Sequence, residues 1–155
     1  MNRHRNDEPT EALRLYARYR KSAPPGQELQ LERLIRLKML IESSVEMPEL
    51  GPEEQLSGFW YELQTAQGRV LYRKRSGNPI RISISLPQEE DPARIQRYAA
   101  LPEERLFTLF VPYYPEGRVV VLYSSPLDQF DDAGPAKPLW RINLPALEDE
   151  RLEVR

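Results

Sequence analysis

The chain has 155 residues, which is enough for one ordinary domain with extensions and a sizeable core. Its 24 acidic and 22 basic residues give a formal net charge of −2, which argues against a nucleic-acid binder with a strongly basic body. The absence of cysteine excludes disulfides, zinc–thiolate sites and thiol nucleophiles.

The first 45 residues carry patterns that predict a helical arm. Glu8-Pro9-Thr10 is a helix-start signal, and an amphipathic helix with a basic edge is expected over residues 9–21. The corner APPG follows, and an apolar-rich pattern predicts a second helix over residues 27–45. Apolar residues cover more of the surface of this predicted helix than one packed helix or sheet can bury. Either the rest of the chain buries the remainder, or Leu29 and Leu40 contact a partner.

Residues 46–57, EMPELGPEEQLS, predict an acidic Pro/Gly linker, and a β domain is expected over 58–145. The strongest structural signal is a β-hairpin over residues 59–75, turning at Gln67-Gly68. The predicted cross-strand pairs are Trp60 with Arg75, Tyr61 with Lys74, Glu62 with Arg73, Leu63 with Tyr72 and Thr65 with Val70. One face, with Phe59, Tyr61, Leu63, Val70 and Tyr72, is predicted to be core, and the other, with Trp60, Glu62, Gln64, Leu71, Arg73 and Arg75, to be wet.

Further strands are predicted over residues 80–86, 105–111, 118–124 and 139–144, while 93–100 fits a short helix or an irregular crossing. The apolar run 119–122 predicts a strand covered on both faces. Residues 146–155 predict an acidic C-terminal tail. Short strands without intervening helices favour an antiparallel β-sandwich, Ig-like with about six or seven strands, preceded by the α-helical hairpin.

No catalytic, cofactor-binding or metal-ligating residue is predicted. The only histidine, His4, lies in a polar terminus far from any organised carboxylate, so general-base and His–metal mechanisms are not expected. Seven scattered glycines form no phosphate-binding fingerprint. The acidic runs 89–91 and 128–132 lack the ligand spacing of a calcium loop. We therefore expect a chain that is not an enzyme and carries no cofactor.

Two features suggest partner binding besides the arm. Trp60, Arg73 and Arg75 combine an aromatic ring with positive charge on the predicted wet face, and Tyr113 and Tyr114 lie in a Pro-flanked loop. The leading hypothesis is a non-catalytic interaction or structural module, cytoplasmic because no apolar run or signal-like start is present, that contacts other protein subunits in a larger bacterial assembly. The alternative is a small nucleic-acid-binding protein that uses the basic and aromatic hairpin face. No membrane contact is expected.

Overall fold

A computed structural model describes residues 9–41, 57–127 and 134–145. These residues form strands joined by turns and loops, and no helix occurs among them. The strands are β1 (Glu11–Arg20), β2 (Leu29–Lys38), β3 (Phe59–Thr65), β4 (Val70–Ser76), β5 (Ile82–Pro87), β6 (Ile95–Ala100), β7 (Glu104–Pro112), β8 (Gly117–Ser124) and β9 (Lys137–Asn143).

Two antiparallel sheets contain seven of these strands. The three-stranded sheet has the order β2-β1-β7 and the four-stranded sheet the order β4-β3-β8-β9, while β5 and β6 form a separate hairpin. One hydrophobic core unites side chains from both sheets, among them Leu15 and Val111 from the first and Phe59, Leu63 and Leu122 from the second. The mainly β, antiparallel part of the predicted fold is therefore confirmed. The three-stranded sheet has its first strand, β1, at the centre, whereas the CFG sheet of an Ig domain has its sixth strand there, so the strand order differs from that of an Ig domain.

The predicted N-terminal helices are wrong, because residues 11–20 and 29–38 are strands β1 and β2. In β1, buried Leu13, Leu15, Ala17 and Tyr19 alternate with more exposed residues, which is the period of a strand. The periodicity of β2 is hidden by a bulge opposite Tyr16 and Ala17, which changes the phase of the alternation between Leu31 and Leu34. A strand pattern broken in this way imitates the three-to-four-residue spacing of a helix.

The N-terminal hairpin packs into the rest of the chain. Strand β1 pairs with β7 without interruption from Ala12–Pro112 to Arg20–Glu104. Its buried side chains lie in the same core cluster as those of the four-stranded sheet. The acidic linker and the C-terminal tail lie outside the described residues, apart from Ser57, which forms an isolated bridge with Pro135.

The predicted hairpin is confirmed as β3 and β4. The observed pairs include Trp60 with Arg75, Tyr61 with Lys74, Glu62 with Arg73 and Leu63 with Tyr72. The loop is longer than predicted and spans residues 66–68, because the Thr65 backbone N–H donates to the Arg69 carbonyl at 2.9 Å. Gly68 has a φ of 88°, the left-handed conformation that this loop requires at its last position. A bulge in β4 absorbs the difference, so Val70 pairs with Gln64 rather than Thr65.

The prediction that one face of the hairpin is exposed to solvent is wrong for β3, because Trp60, Glu62 and Gln64 are buried there. The reason is the position of β3 between β4 and β8, which surrounds each of its residues with neighbours on both sides. On β8, residues 119–122 are buried as predicted, but no helix among the described residues covers the outward side of this strand. Residues 95–100 form strand β6 instead of a helix or an irregular crossing.

Candidate interaction surface

The outward side of the three-stranded sheet carries an arginine and aromatic cluster that the alternation of β1 places there. Leu13, Leu15 and Ala17 point into the core, so the residues between them point away from it. We call this surface the open face. Its residues are Arg14, Tyr16 and Arg18 on β1, Arg33 and Ile35 on β2, and Leu106, Thr108 and Phe110 on β7.

Arg14 lies at the centre of the open face, opposite Phe110 on one side and Ile35 on the other. Its guanidinium carbon lies 5.0 Å from the centroid of the Phe110 ring and 5.7 Å from that of Tyr16, and one terminal nitrogen donates to the Tyr16 hydroxyl at 2.8 Å. Nε of Arg14 has no hydrogen-bond acceptor among the described residues, and none of their carboxylates pairs with this side chain. The charge is thus held in place by rings and is not neutralised by any carboxylate of the described residues.

The bulge in β2 adds a second arginine to the same cluster. Arg33 pairs with Tyr16, and its guanidinium carbon lies 5.7 Å from the ring centroid. Glu32 is the extra residue of the bulge, and its carboxylate contacts Arg18 Nε at 2.7 Å. Arg18 also reaches Glu104 at 2.7 Å, so its charge is balanced within the face. The bulge therefore places Arg33 near the tyrosine ring that Arg14 also contacts, and it places Glu32 beside Arg18.

An open depression of about 370 Å³ adjoins this cluster, lined by residues that include Tyr16, Glu32, Arg33, Leu106 and Thr108. Leu106, the third residue of β7, is 64% exposed at the side of this depression. The open face therefore presents an apolar hollow beside an unneutralised arginine. Aromatic residues and arginine next to apolar contact area are the side chains enriched at protein–protein interfaces.

The residues predicted from the sequence to contact a partner lie in several places. Leu29 is buried in the core, whereas Leu40 is 74% exposed beyond the end of β2. The predicted helix would have placed these two leucines together on one side. Residues 29–38 form a strand instead, so the two leucines do not share a surface patch. Tyr113 and Tyr114 are half-buried between β7 and β8, and the Arg36 guanidinium lies 3.8 Å from the Tyr113 ring centroid while it pairs with Glu11.

Trp60, Arg73 and Arg75 lie on the outward side of the four-stranded sheet, where their contacts are internal. Trp60 stacks on Tyr123 with ring centroids 5.1 Å apart. Arg73 donates to the Glu62 carboxylate at 2.7 Å, and Arg75 donates to the Ser57 carbonyl at 3.1 Å. Burial, and then the negative charge of Glu62, raise the pKa of Tyr123 above its ordinary value. This side of the molecule is closed by its own side chains.

Sequence reasoning missed Arg14, Tyr16 and Phe110. The available signal was the alternation in ALRLYARYR, where apolar residues occupy every second position. Reading that segment as a strand would have placed Arg14 and Tyr16 on one face. Their proximity to Phe110 depends on the pairing of β1 with β7, which joins residues far apart in the sequence and has no local signal.

Among the described residues, no group of His, Asp and Glu side chains is arranged to hold a metal ion. The same part of the chain contains no helix of the length and apolarity needed to cross a membrane. Comparison with models of protein families, with curated proteins and with solved structures gave no match.

Proposed function

We propose that this chain is a non-catalytic interaction module, a cytoplasmic β-sandwich that joins other protein subunits in a larger bacterial assembly, and that the open face is its contact surface. The observation that supports this most is Arg14, fixed between Phe110 and Tyr16 without a carboxylate partner among the described residues. A fixed guanidinium loses little conformational entropy when it binds, so a partner carboxylate gains an ordered donor at low cost.

The partner that fits this surface carries an acidic group next to an apolar side chain. The acidic group would face Arg14 and Arg33, and the apolar side chain would fill the depression beside Leu106. Across an interface, complementary charge sets orientation and association rate, while the buried apolar contact supplies most of the affinity.

Nucleic acid is a weaker candidate for the same surface, for a geometric reason. A stacking platform for bases needs aromatic rings whose faces are free. Here Arg14 lies over Phe110, and Arg14 and Arg33 both lie close to the Tyr16 ring. On the β3–β4 hairpin, Trp60 already stacks on Tyr123. The aromatic residues therefore serve to hold arginines or each other.

The test is affinity capture from the native host with the full chain as bait. Arg14→Glu and Arg33→Glu reverse charges on the open face, and Lys137→Glu makes the same change at an exposed position on β9 in the other sheet. Each bait is first checked for wild-type thermal unfolding. We expect the captured subunit, identified by mass spectrometry, to be lost with Arg14→Glu, reduced with Arg33→Glu and retained with Lys137→Glu.

Two results would contradict the proposal. One is capture that is equal for all three variants, which would mean that the open face makes no contact. The other is sub-micromolar binding of random single-stranded DNA or RNA at physiological salt, measured by fluorescence anisotropy and lost with Arg14→Glu. That result would support the nucleic-acid alternative, with a steep salt dependence as its signature.

A further inference from the structure

Strand β7 forms one edge of the three-stranded sheet, and its hydrogen-bond ladder shows which of its backbone groups face outward. The Tyr113 backbone N–H donates to the Glu11 carbonyl at 2.9 Å, and the Lys21 N–H donates to the Glu103 carbonyl at 2.8 Å. In an antiparallel ladder hydrogen-bonded pairs occur at every second residue. The odd-numbered residues of β7 therefore bond to β1, and the even-numbered residues direct their N–H and C=O groups to the edge.

The even-numbered residues in the middle of the strand are Leu106, Thr108 and Phe110. The Phe110 carbonyl accepts a hydrogen bond from the Tyr61 hydroxyl at 2.9 Å, which comes from the four-stranded sheet. The other outward N–H and C=O groups of these three residues have no partner among the described residues. A row of unpaired backbone groups at a sheet edge is a template for one more strand.

The other three edges of the two sheets contain features that oppose strand addition along their length, whereas β7 has them only at its ends, in Glu104, Arg105 and Pro112. Edge strands are normally protected by bulges, by charged side chains or by proline. The protecting features are the bulge with Arg36 and Lys38 on β2, Arg73, Lys74 and Arg75 on β4, and Pro138 and Arg141 on β9. Residues 106–111 of β7, LFTLFV, have neither charge nor proline, and their register with β1 is unbroken.

We propose that β7 pairs with β7 of a second copy of this chain, antiparallel and centred on Thr108. The two three-stranded sheets would then join into one continuous sheet across a two-fold axis. In this register Thr108 faces Thr108 of the second copy, Leu106 faces its Phe110, and Phe107 faces its Leu109.

A second copy fits this edge because the edge is complementary to itself. Between residues 106 and 110, each pair in the register joins two apolar residues or two threonines, which are stabilising cross-strand combinations. Leu106, 64% exposed in the single chain, gains a phenylalanine as its neighbour. Glu104 faces Pro112 of the second copy, so no like charges meet within the strand. The Phe110 carbonyl can keep its bond to Tyr61 and accept another, since a carbonyl oxygen has two lone pairs.

The first experiment measures self-association of the full chain by sedimentation velocity over a wide range of concentrations. The test variant is Thr108→Lys, which puts two like charges opposite each other on the axis. Its matched control is Gln30→Lys, also exposed but on β2 at the other edge. We expect a dimer for wild type and Gln30→Lys, and a dissociation constant raised by about tenfold or more for Thr108→Lys. At concentrations below the dissociation constant of the dimer, Thr108→Lys and wild type should unfold at the same temperature, because the Thr108 side chain is exposed and its backbone N–H lies outside the ladder with β1. At higher concentrations the wild-type dimer should unfold at a higher temperature than the variant.

The second experiment fixes the register. The chain has no cysteine, so Thr108→Cys introduces a single thiol. In the proposed pairing the two Cα atoms lie about 5.5 Å apart, within the range that a disulfide spans. We expect Thr108→Cys to form a covalent dimer under mild oxidation at least about tenfold faster than Gln30→Cys.

Three outcomes would overturn the proposal. A wild-type chain that stays monomeric at all concentrations would refute pairing with a second copy. Equal cross-linking of Thr108→Cys and Gln30→Cys would refute the register. A wild-type monomer whose captured subunit is lost with Thr108→Lys would show that the edge, or the open face on which Thr108 lies, contacts another protein instead of a second copy. The first two results leave the proposed role of the open face untouched, because that role is tested by Arg14→Glu.

Discussion

The ion pair between Arg73 and Glu62 is a strong test of how this fold tolerates buried charge. Arg73 Nε lies 2.7 Å from a Glu62 oxygen, and the two side chains are only 17% and 7% exposed. The second Glu62 oxygen accepts a hydrogen bond from the Gln64 amide at 2.8 Å. Replacing Arg73 by methionine keeps an apolar stem and leaves the buried carboxylate with the Gln64 amide as its one remaining donor among the described residues.

The pair between Arg18 and Glu32 provides a more exposed control, in which Arg18 also contacts Glu104 at 2.7 Å. Its N–O distance is also 2.7 Å, but its side chains are 28% and 40% exposed. Removing one partner of a buried pair costs about 3–5 kcal/mol, whereas exposed pairs contribute about 0–1 kcal/mol. Because Arg73 keeps some contact with solvent, we expect Arg73→Met to lower the free energy of unfolding by about 3 kcal/mol, and Arg18→Met by less than about 1 kcal/mol.

The measurement is equilibrium unfolding in urea at neutral pH, repeated in high salt. Salt screens exposed charges more strongly than buried ones, so the small effect of Arg18→Met should shrink while that of Arg73→Met persists. Equal losses of stability for the two variants, or a loss for Arg73→Met that disappears in salt, would refute the argument that burial controls the strength of this pair.

Three further predictions concern packing, the N-terminal hairpin and pH. Gly117→Ala should destabilise the fold by about 1–3 kcal/mol, because a Cβ there would lie 3.1 Å from the Leu63 side chain. The control, Gly77→Ala, should leave the free energy of unfolding nearly unchanged, since no heavy atom lies within 4 Å of its Cβ. Urea unfolding measures both. Deleting residues 1–45 should abolish cooperative unfolding in near-ultraviolet circular dichroism, because it removes two of three strands from one sheet. The pKa of Tyr123 is raised in the folded chain, so the neutral phenol stabilises the fold fully below pH 10.0, and this stabilisation is lost as the pH rises further. Tyr123→Phe should therefore reduce the loss of thermal stability at alkaline pH, measured by thermal melts.

Much of the β structure was predictable because its signals are local. The hairpin β3–β4 has a turn glycine, and its pairs from Trp60–Arg75 to Leu63–Tyr72 agree with the sequence prediction. The strand over residues 118–124 was predicted within one residue at its start and predicted to be covered on both faces, as its continuous apolar run indicates. Local alternation and turn chemistry are sufficient for such elements.

The N-terminal strands were not predictable in the same way. Helix-forming residues and the start signal Glu8-Pro9 favoured a helix for β1, and propensity is weak compared with the nine-pair ladder to β7. In β2 the bulge at Glu32 interrupts the period-two pattern. The candidate surface depends on both strands, so its residues could not be brought together until the long-range pairing was known.

The two sheets differ in how their outward sides are covered, and this difference concentrates the proposed contacts on one of them. On the outward side of the four-stranded sheet, Val119 and Val121 of β8 lie beside Gln64 and Glu62 of β3 and are buried, as is Trp60 on the same side. That side is satisfied internally by the Trp60–Tyr123 stack and the Arg73–Glu62 pair.

On the three-stranded sheet, β1 is the only strand with neighbours on both sides, and its outward residues are longer and more exposed. Three features belong to this sheet: Arg14, which pairs with no carboxylate among the described residues, the exposed Leu106, and the uncharged edge segment 106–111 of β7. A sheet with so few strands buries its inner side well but cannot cover its outer side, since the chain supplies no further layer there among the described residues. Strand addition at β7 would widen the sheet and extend the open face across two copies, so the two proposed contacts are compatible in one assembly.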